Sequence, residues 1–176
     1  MNRSFSLGTF LDLKLTALPS AFIATGFLWI TLAIAGFWLL DLSPVKAIFG
    51  GLIAALLHWV GELWHQYGHA LAARQVGYPM QGIQFWWLLG RSVYPPNEPE
   101  LPARVHIHRA LGGSPASLVL TLVTGLITWG LREIGGAAYW VAFFFFIENL
   151  FVFTLGAFLP LGFTDGSTLL RYWKSR

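Results

Sequence analysis

The sequence predicts an all-α polytopic membrane protein with about four transmembrane helices and a small interfacial β-hairpin or re-entrant strand region. Three observations carry that expectation. Only 11% of the 176 residues are charged and 56% are hydrophobic, whereas an ordinary soluble domain carries about 25% charged residues. Four stretches are long and apolar enough to cross a bilayer, which takes about 20 residues. Between the second and third lies an aromatic segment, Ile83-Gln84-Phe85-Trp86-Trp87-Leu88-Leu89, closed by Gly90-Arg91-Ser92-Val93-Tyr94.

Residues 1–18 form an interfacial segment in which Leu11 to Thr16 alternates apolar and polar, a strand period. The first helix, about 19–40, holds no charge. It is longer than the apolar core of a cleavable signal peptide, about 7–15 residues, and no small-x-small cleavage site follows it. The second helix, about 45–76, contains most of the polar residues of interest. Gly82 to Tyr94 reads as a hairpin or a re-entrant loop at the membrane surface. A plain aromatic anchor at headgroup depth is a compatible alternative. Pro95 to Pro102 is expected to be a mobile loop able to gate access. The third helix runs from about 110 to 131 and the fourth from about 136 to 159. Pro160 and Gly162 then break the chain before a short amphipathic helix, 167–174. The whole, 1–176, is expected to form a single membrane-embedded domain.

Charge and composition exclude several classes. The net charge is only +3 and no basic cluster is visible, so nucleic acid is not an expected partner. Without cysteine there is neither a disulfide framework nor a thiolate metal site. With four spans, the two termini and the central loop share one side of the membrane. Of the 11 Lys and Arg residues only Lys46 and Arg132 fall on the other side. The positive-inside rule then makes both termini cytoplasmic. His65 lies roughly 27 Å along the second helix from Ala47, at 1.5 Å per residue, nearer the cytoplasmic surface than the bilayer centre.

His65-Gln66-Tyr67-Gly68-His69 is the zinc-protease pattern H-E-x-x-H with one change. Histidines four apart project from one face of a helix. Both imidazoles can therefore reach one ion, with residue 66 beside the water that the ion activates. A catalytic zinc site needs a third protein ligand, and Asp165 is the candidate. It follows the helix-breaking Pro160 and Gly162, and a carboxylate at membrane depth, which costs about 2.5–3.5 kcal/mol at a helix centre, calls for a partner. The alternative is that Asp165 caps the short C-terminal helix.

His65 to Arg74, followed by Gly77, resembles the site-2 protease family of intramembrane zinc metalloproteases, in which this region reads roughly HExGHxxxAxxxG. Ala110-Leu111-Gly112-Gly113-Ser114-Pro115-Ala116-Ser117 is similar to the family's A-G-P-x-x-N segment, with Ser117 at the usual asparagine. Asp165-Gly166 is similar to its L-D-G signature, with Thr164 at the usual leucine and Ala157 at an asparagine before the proline. The resemblance implies Zn2+ held by His65, His69 and Asp165, and cleavage of transmembrane substrates in or near the bilayer. It also makes Asn149 a candidate for contacting the substrate backbone. A plain interhelical hydrogen bond, worth about 0.6 kcal/mol in membrane proteins, is the alternative.

Gln66 departs from the family at the catalytic position. Its neutral amide cannot take a proton from water, and losing a general base costs about 10²–10⁴-fold. The chain is therefore expected to be inactive or strongly impaired, with its metal ligands intact. It is either an inactivated form of an active protease, since Glu→Gln is nearly isosteric, or a natural pseudoprotease that binds transmembrane helices. A metal transporter is a third possibility and would need polar ligands across the whole membrane. His58, Glu62, His65 and His69 form a polar stripe on one helical face. Glu62 is expected to hydrogen-bond within the bundle, and His58 to be a buried polar residue or a gate. Glu62-x-x-His65 has the spacing of di-iron bundles, but the second such pair is missing. His106 and His108 are expected at the interface. An extended substrate segment is expected to pair with a strand edge near the metal.

Overall fold

Proline opens both of the first long helices, α1 (Pro19–Trp38) and α2 (Pro44–Gln75). At the first helical position its missing N–H costs nothing. The structure, a computed structural model, describes residues 4–173. At 32 residues, α2 is roughly 48 Å long by its rise and exceeds the roughly 30 Å hydrocarbon core. Four helical stretches, 19–38, 44–75, 103–131 and 136–158, are long and apolar enough to cross a membrane.

Small residues let α1 and α2 approach closely. Ala21, Ala24 and Gly36 of α1 and Ala47, Gly50, Gly51, Ala54 and Ala55 of α2 are all buried. A Cβ on Gly51 would sit 2.7 Å from Ala33 N and 3.0 Å from its Cα. Those atoms are backbone, so only a shift of one helix relieves the clash. Gly51→Ala is expected to destabilise by about 1–3 kcal/mol, the usual size of overpacking. The check is the thermal midpoint of the detergent-solubilised protein. An unchanged midpoint would show that the two helices part freely.

The third span departs from expectation at its start. A short helix, α3 (Ala103–Ala110), precedes the break at Leu111–Gly112, and the membrane helix α4 begins at Gly113 and ends at Leu131. Gly112 lies against Gly68 of α2 so closely that a Cβ on either would strike the other's backbone. On α4 a stripe of Ser114, Ser117, Thr121, Thr124 and Thr128 faces inward. The three threonines donate to their own helix one turn back, at Ser117 O, Leu120 O and Thr124 O. The opposite face, with Leu122 and Leu126, is exposed, as lipid contact requires.

The fourth span is α5 (Gly136–Glu148), continued by a π-helical segment, Asn149–Leu155, and a short 3-10 turn, Gly156–Phe158. After the break at Leu159-Pro160, α6 (Asp165–Trp173) begins at the aspartate, two residues earlier than the pattern suggested. Lys174, its expected end, lies outside the described residues.

The sheet joins the expected hairpin to the strand expected near Leu11–Thr16 and adds one strand before it. β1 (Phe5–Phe10), β2 (Leu13–Ala17), β3 (Gly82–Trp86) and β4 (Leu89–Val93) lie in that order. β1 and β2 form an antiparallel hairpin whose turn residues Leu11 and Asp12 both have positive φ. β2 runs parallel to β3, pairing Lys14 with Gly82 through Ala17 with Phe85. β3 and β4 form the expected hairpin. Leu13, Ala17, Ile83 and Phe85 pack with Ala70 and Ala73 of α2. This core fixes the sheet beside the half of α2 that carries the histidines.

Candidate metal centre

His65 and His69 project from one face of α2, and their Nε2 atoms lie 3.0 Å apart. Asp165, the first residue of α6, brings Oδ2 to 3.4 Å from His65 Nε2 and Oδ1 to 3.3 Å from His69 Nε2. The three residues sequence reasoning singled out as ligands are thus one cluster. The far nitrogen of each ring is already engaged. His69 Nδ1 donates to Arg109 O at 2.8 Å, which leaves its Nε2 lone pair aimed at the cluster. His65 Nδ1 pairs with Ser117 Oγ at 2.9 Å.

These donors fit a divalent ion. Oδ2 of Asp165 is buried and has no hydrogen-bond partner, an arrangement that is costly unless a cation compensates it. In a tetrahedron with bonds of about 2.0–2.1 Å, ligand atoms lie about 3.3–3.4 Å apart, close to the spacings seen. The Ser117 hydroxyl and the Arg109 carbonyl stand where outer partners stand in metal sites, on the ring nitrogens turned away from the cluster. Gly113 makes room for the rings. A Cβ there would come within 2.5 Å of His65 Nε2 and His69 Nε2.

Gln66 points to the same cavity and is held on every side. Its Nε2 donates to Gly90 O at 2.8 Å and to Glu62 Oε1 at 3.1 Å, and its Oε1 accepts from Ser92 Oγ at 2.9 Å. Glu62, only 3% exposed, also accepts from Gly90 N at 2.8 Å. The bundle role expected for Glu62 is therefore a tie to the β4 strand. His58 pairs with Glu148 at 2.7 Å and with Leu88 O at 3.1 Å. It is buried and braces the tip of the β3–β4 hairpin.

Asn149 is fully buried, with 0% exposure. It donates to Phe145 O at 2.7 Å, while its Oδ1 faces Gly61 of α2 and has no partner. The structure places it between helices and does not bring it to the metal cluster. Ala157 lines the cavity beside Phe153. His106 stacks on Tyr172 at 4.1 Å at the border of the hollow that holds His69 and Asp165, and His108 bonds Gln75 at 2.9 Å.

Two hollows meet at these residues. One, of about 660 Å³, is bounded by Glu62, His65 and Asp165 and by apolar walls including Trp86, Leu89 and Phe151. The other, of about 340 Å³, is polar and includes Arg91, Tyr94, Glu98 and Arg109. The Pro95–Pro102 loop is tied down at its edge. Both Glu98 oxygens accept from Arg109, at 3.0 and 2.5 Å. The guanidinium also lies 4.0 Å over the Tyr94 ring. Arg109 thereby couples the loop to the carbonyl that orients His69, a link with no signature in the sequence.

The Arg109 hydrogen bond holds the Glu98 carboxyl below its ordinary value of about 4.5, with His106 nearby adding to the effect. A depressed folded value means that the pair's contribution is complete above the ordinary carboxylate range. It is lost as pH falls through the lower folded value. The mobility of a spin label in the Pro95–Pro102 loop is therefore expected to rise as the medium drops below about pH 4, and Glu98→Gln is expected to give the same rise at neutral pH. A label mobility independent of both acid and substitution would show that the pair contributes nothing to holding the loop.

Membrane-length helices, two histidines one turn apart, an aspartate from the distant chain end and a flanking sheet together define a class, the site-2-protease-like fold. A solved site-2 protease from Methanocaldococcus jannaschii shares it. The match spans 98% of this chain and 72% of that one, with a TM-score of 0.62 and 18% sequence identity. No family model and no curated protein matches the sequence.

Proposed function

We propose that the chain is a site-2-type intramembrane zinc metalloprotease core whose metal centre is retained and whose proton-accepting position is filled by Gln66. The convergence of two imidazole lone pairs and an unpartnered buried carboxylate oxygen carries this reading. His65, His69 and Asp165 would hold the ion, while Ser117 and the Arg109 carbonyl orient the rings. Zinc in such a site polarises a carbonyl and makes water acidic enough to act as a nucleophile near neutral pH. The largely apolar walls of the larger hollow suit a transmembrane segment. The lysine and arginine distribution supports the reading that both termini are cytoplasmic.

Residue 66 governs the proton. A carboxylate there would take it from water and return it to the leaving amine, and the Gln66 amide does neither. The chain as it stands is accordingly inactive or strongly impaired. The second reading, a natural pseudoprotease that binds transmembrane helices, is favoured by the hydrogen bonding of Gln66, which uses amide and carbonyl alike. The test is zinc-dependent, chelator-sensitive cleavage of a reconstituted transmembrane peptide by a position-66 glutamate variant. A partner that binds and stays uncut would favour the pseudoprotease.

A further inference from the structure

β4 is the edge strand of the sheet. Lys14 and Leu18 donate their N–H groups to Gln81 O and Phe85 O, so the odd-numbered residues of β3 turn their amides toward β2. Amides alternate sides along a strand. Gly82, Gln84 and Trp86 therefore face Val93, Arg91 and Leu89 of β4, and Gly90 and Ser92 turn outward to the unpaired edge. At Gly90 that edge is occupied by α2. Glu62 Oε1 accepts from its N–H and Gln66 Nε2 donates to its C=O, each at 2.8 Å. One acceptor and one donor are what a single residue of an added antiparallel strand presents.

We propose that Glu62 and Gln66 form an edge clamp that occupies the place of one substrate-strand residue at Gly90, so that an extended peptide must displace them to pair with β4 beside the metal centre. The clamp rests on the site-2-type reading for its setting and adds a gating role for Glu62 as a positioning residue. The amide is particular to it, since a glutamate at 66 offers no donor to the Gly90 carbonyl. Space is equally particular. A Cβ on Gly90 would come 2.6 Å from Glu62 Oε1 and 3.1 Å from Gln66 Cγ. His58, two turns back on α2, holds Leu88 O and keeps the hairpin aligned with the clamp. The partner this selects is a membrane segment with an unwound stretch, whose own N–H and C=O groups replace both clamp bonds. A continuous helix has its backbone groups satisfied internally and gains nothing at the edge.

The test uses the full chain with isotope-labelled glycine in lipid nanodiscs, and a fluorescent polyleucine peptide of roughly 20 residues, long enough to span, interrupted at its centre by Gly-Pro. Zinc binding is measured first on every variant. Glu62→Leu removes the acceptor. The Gly90 amide should exchange roughly tenfold faster and the interrupted peptide bind roughly tenfold tighter, the scale of one buried hydrogen bond. Uninterrupted polyleucine should bind as before. Glu62→Gln retains an acceptor oxygen and should restore the parent values. Unchanged Gly90 exchange, or weaker peptide binding, in a Glu62→Leu protein that still binds zinc overturns the clamp. If Glu62→Leu loses zinc as well, Gln66→Leu decides. It frees only the Gly90 carbonyl, and an affinity equal to the parent's would refute the proposal. Failure of the parent chain to bind zinc would count against the metal-centre reading alone and leave the exchange measurement to judge the clamp.

Discussion

Asp165→Ala is expected to strip the protein of tightly bound zinc while leaving the fold in place. Loss of an outer-shell partner already weakens metal binding by about 10–100-fold. Removal of one of three protein ligands should exceed that range, and metal analysis after dialysis against a weak chelator would read near zero. The competing role, a cap for α6, predicts something different. A lost cap costs about 1 kcal/mol of helix stability and leaves the zinc content alone. The geometry separates the two roles. Oδ2 of Asp165 accepts no hydrogen bond, and its two oxygens lie 3.3 and 3.4 Å from separate imidazoles. Cobalt substitution offers a second readout, since a tetrahedral site gives a visible ligand-field band that Asp165→Ala should abolish. Full zinc content in that variant would sink the assignment of the third ligand.

The clustering of His65, His69 and Asp165 was legible because each carries a local signal. Two histidines four apart need only a helix to share a face. Asp165 follows a proline and a glycine that stop the fourth span, which leaves its carboxylate free to turn inward. The ring-orienting groups were not legible. The carbonyl of Arg109 carries no mark in its side chain, and Ser117 was identified only as a departure from a family asparagine. Each is assigned by α3 and α4 packing onto α2 at Gly68, Gly112 and Gly113, contacts about 40–50 residues apart in the chain. The sheet shows the same limit. The β3–β4 hairpin has a local aromatic pattern, whereas the parallel pairing of β2 with β3 joins Lys14 to Gly82 across an entire helical pair. Position 66 is the instructive case. Its chemistry as a missing base could be read from the motif, but its three hydrogen-bonding neighbours could not. Glu62 is one turn away, whereas Gly90 and Ser92 arrive on β4, the second strand after α2.

Those neighbours bear directly on restoring activity. Gln66→Glu replaces the missing base, and general-base catalysis is worth about 10²–10⁴-fold. The single substitution also sets acceptor against acceptor. The new carboxyl would face Glu62 Oε1 and Gly90 O at the 3.1 and 2.8 Å now spanned by amide donors. A buried acceptor without a donor costs about 1–3 kcal/mol, and more where the group is charged. Much of the gain is therefore expected to be lost in misplacing the base or holding it protonated. Glu62→Gln with Gln66→Glu removes the conflict at residue 62 and leaves only the one with the Gly90 carbonyl. Gln at 62 still accepts from the Gly90 N–H and now donates to the carboxylate at 66. The double variant should cleave a zinc-loaded transmembrane reporter at least about 10²-fold faster than the parent and about tenfold faster than Gln66→Glu alone, the worth of one charge-assisted hydrogen bond. Equal rates in the single and double variants would show that Glu62 places no constraint on residue 66. If neither variant cleaves although zinc is bound, the missing base is not the sole lesion, and the retained metal centre serves a protein that holds membrane helices without cutting them.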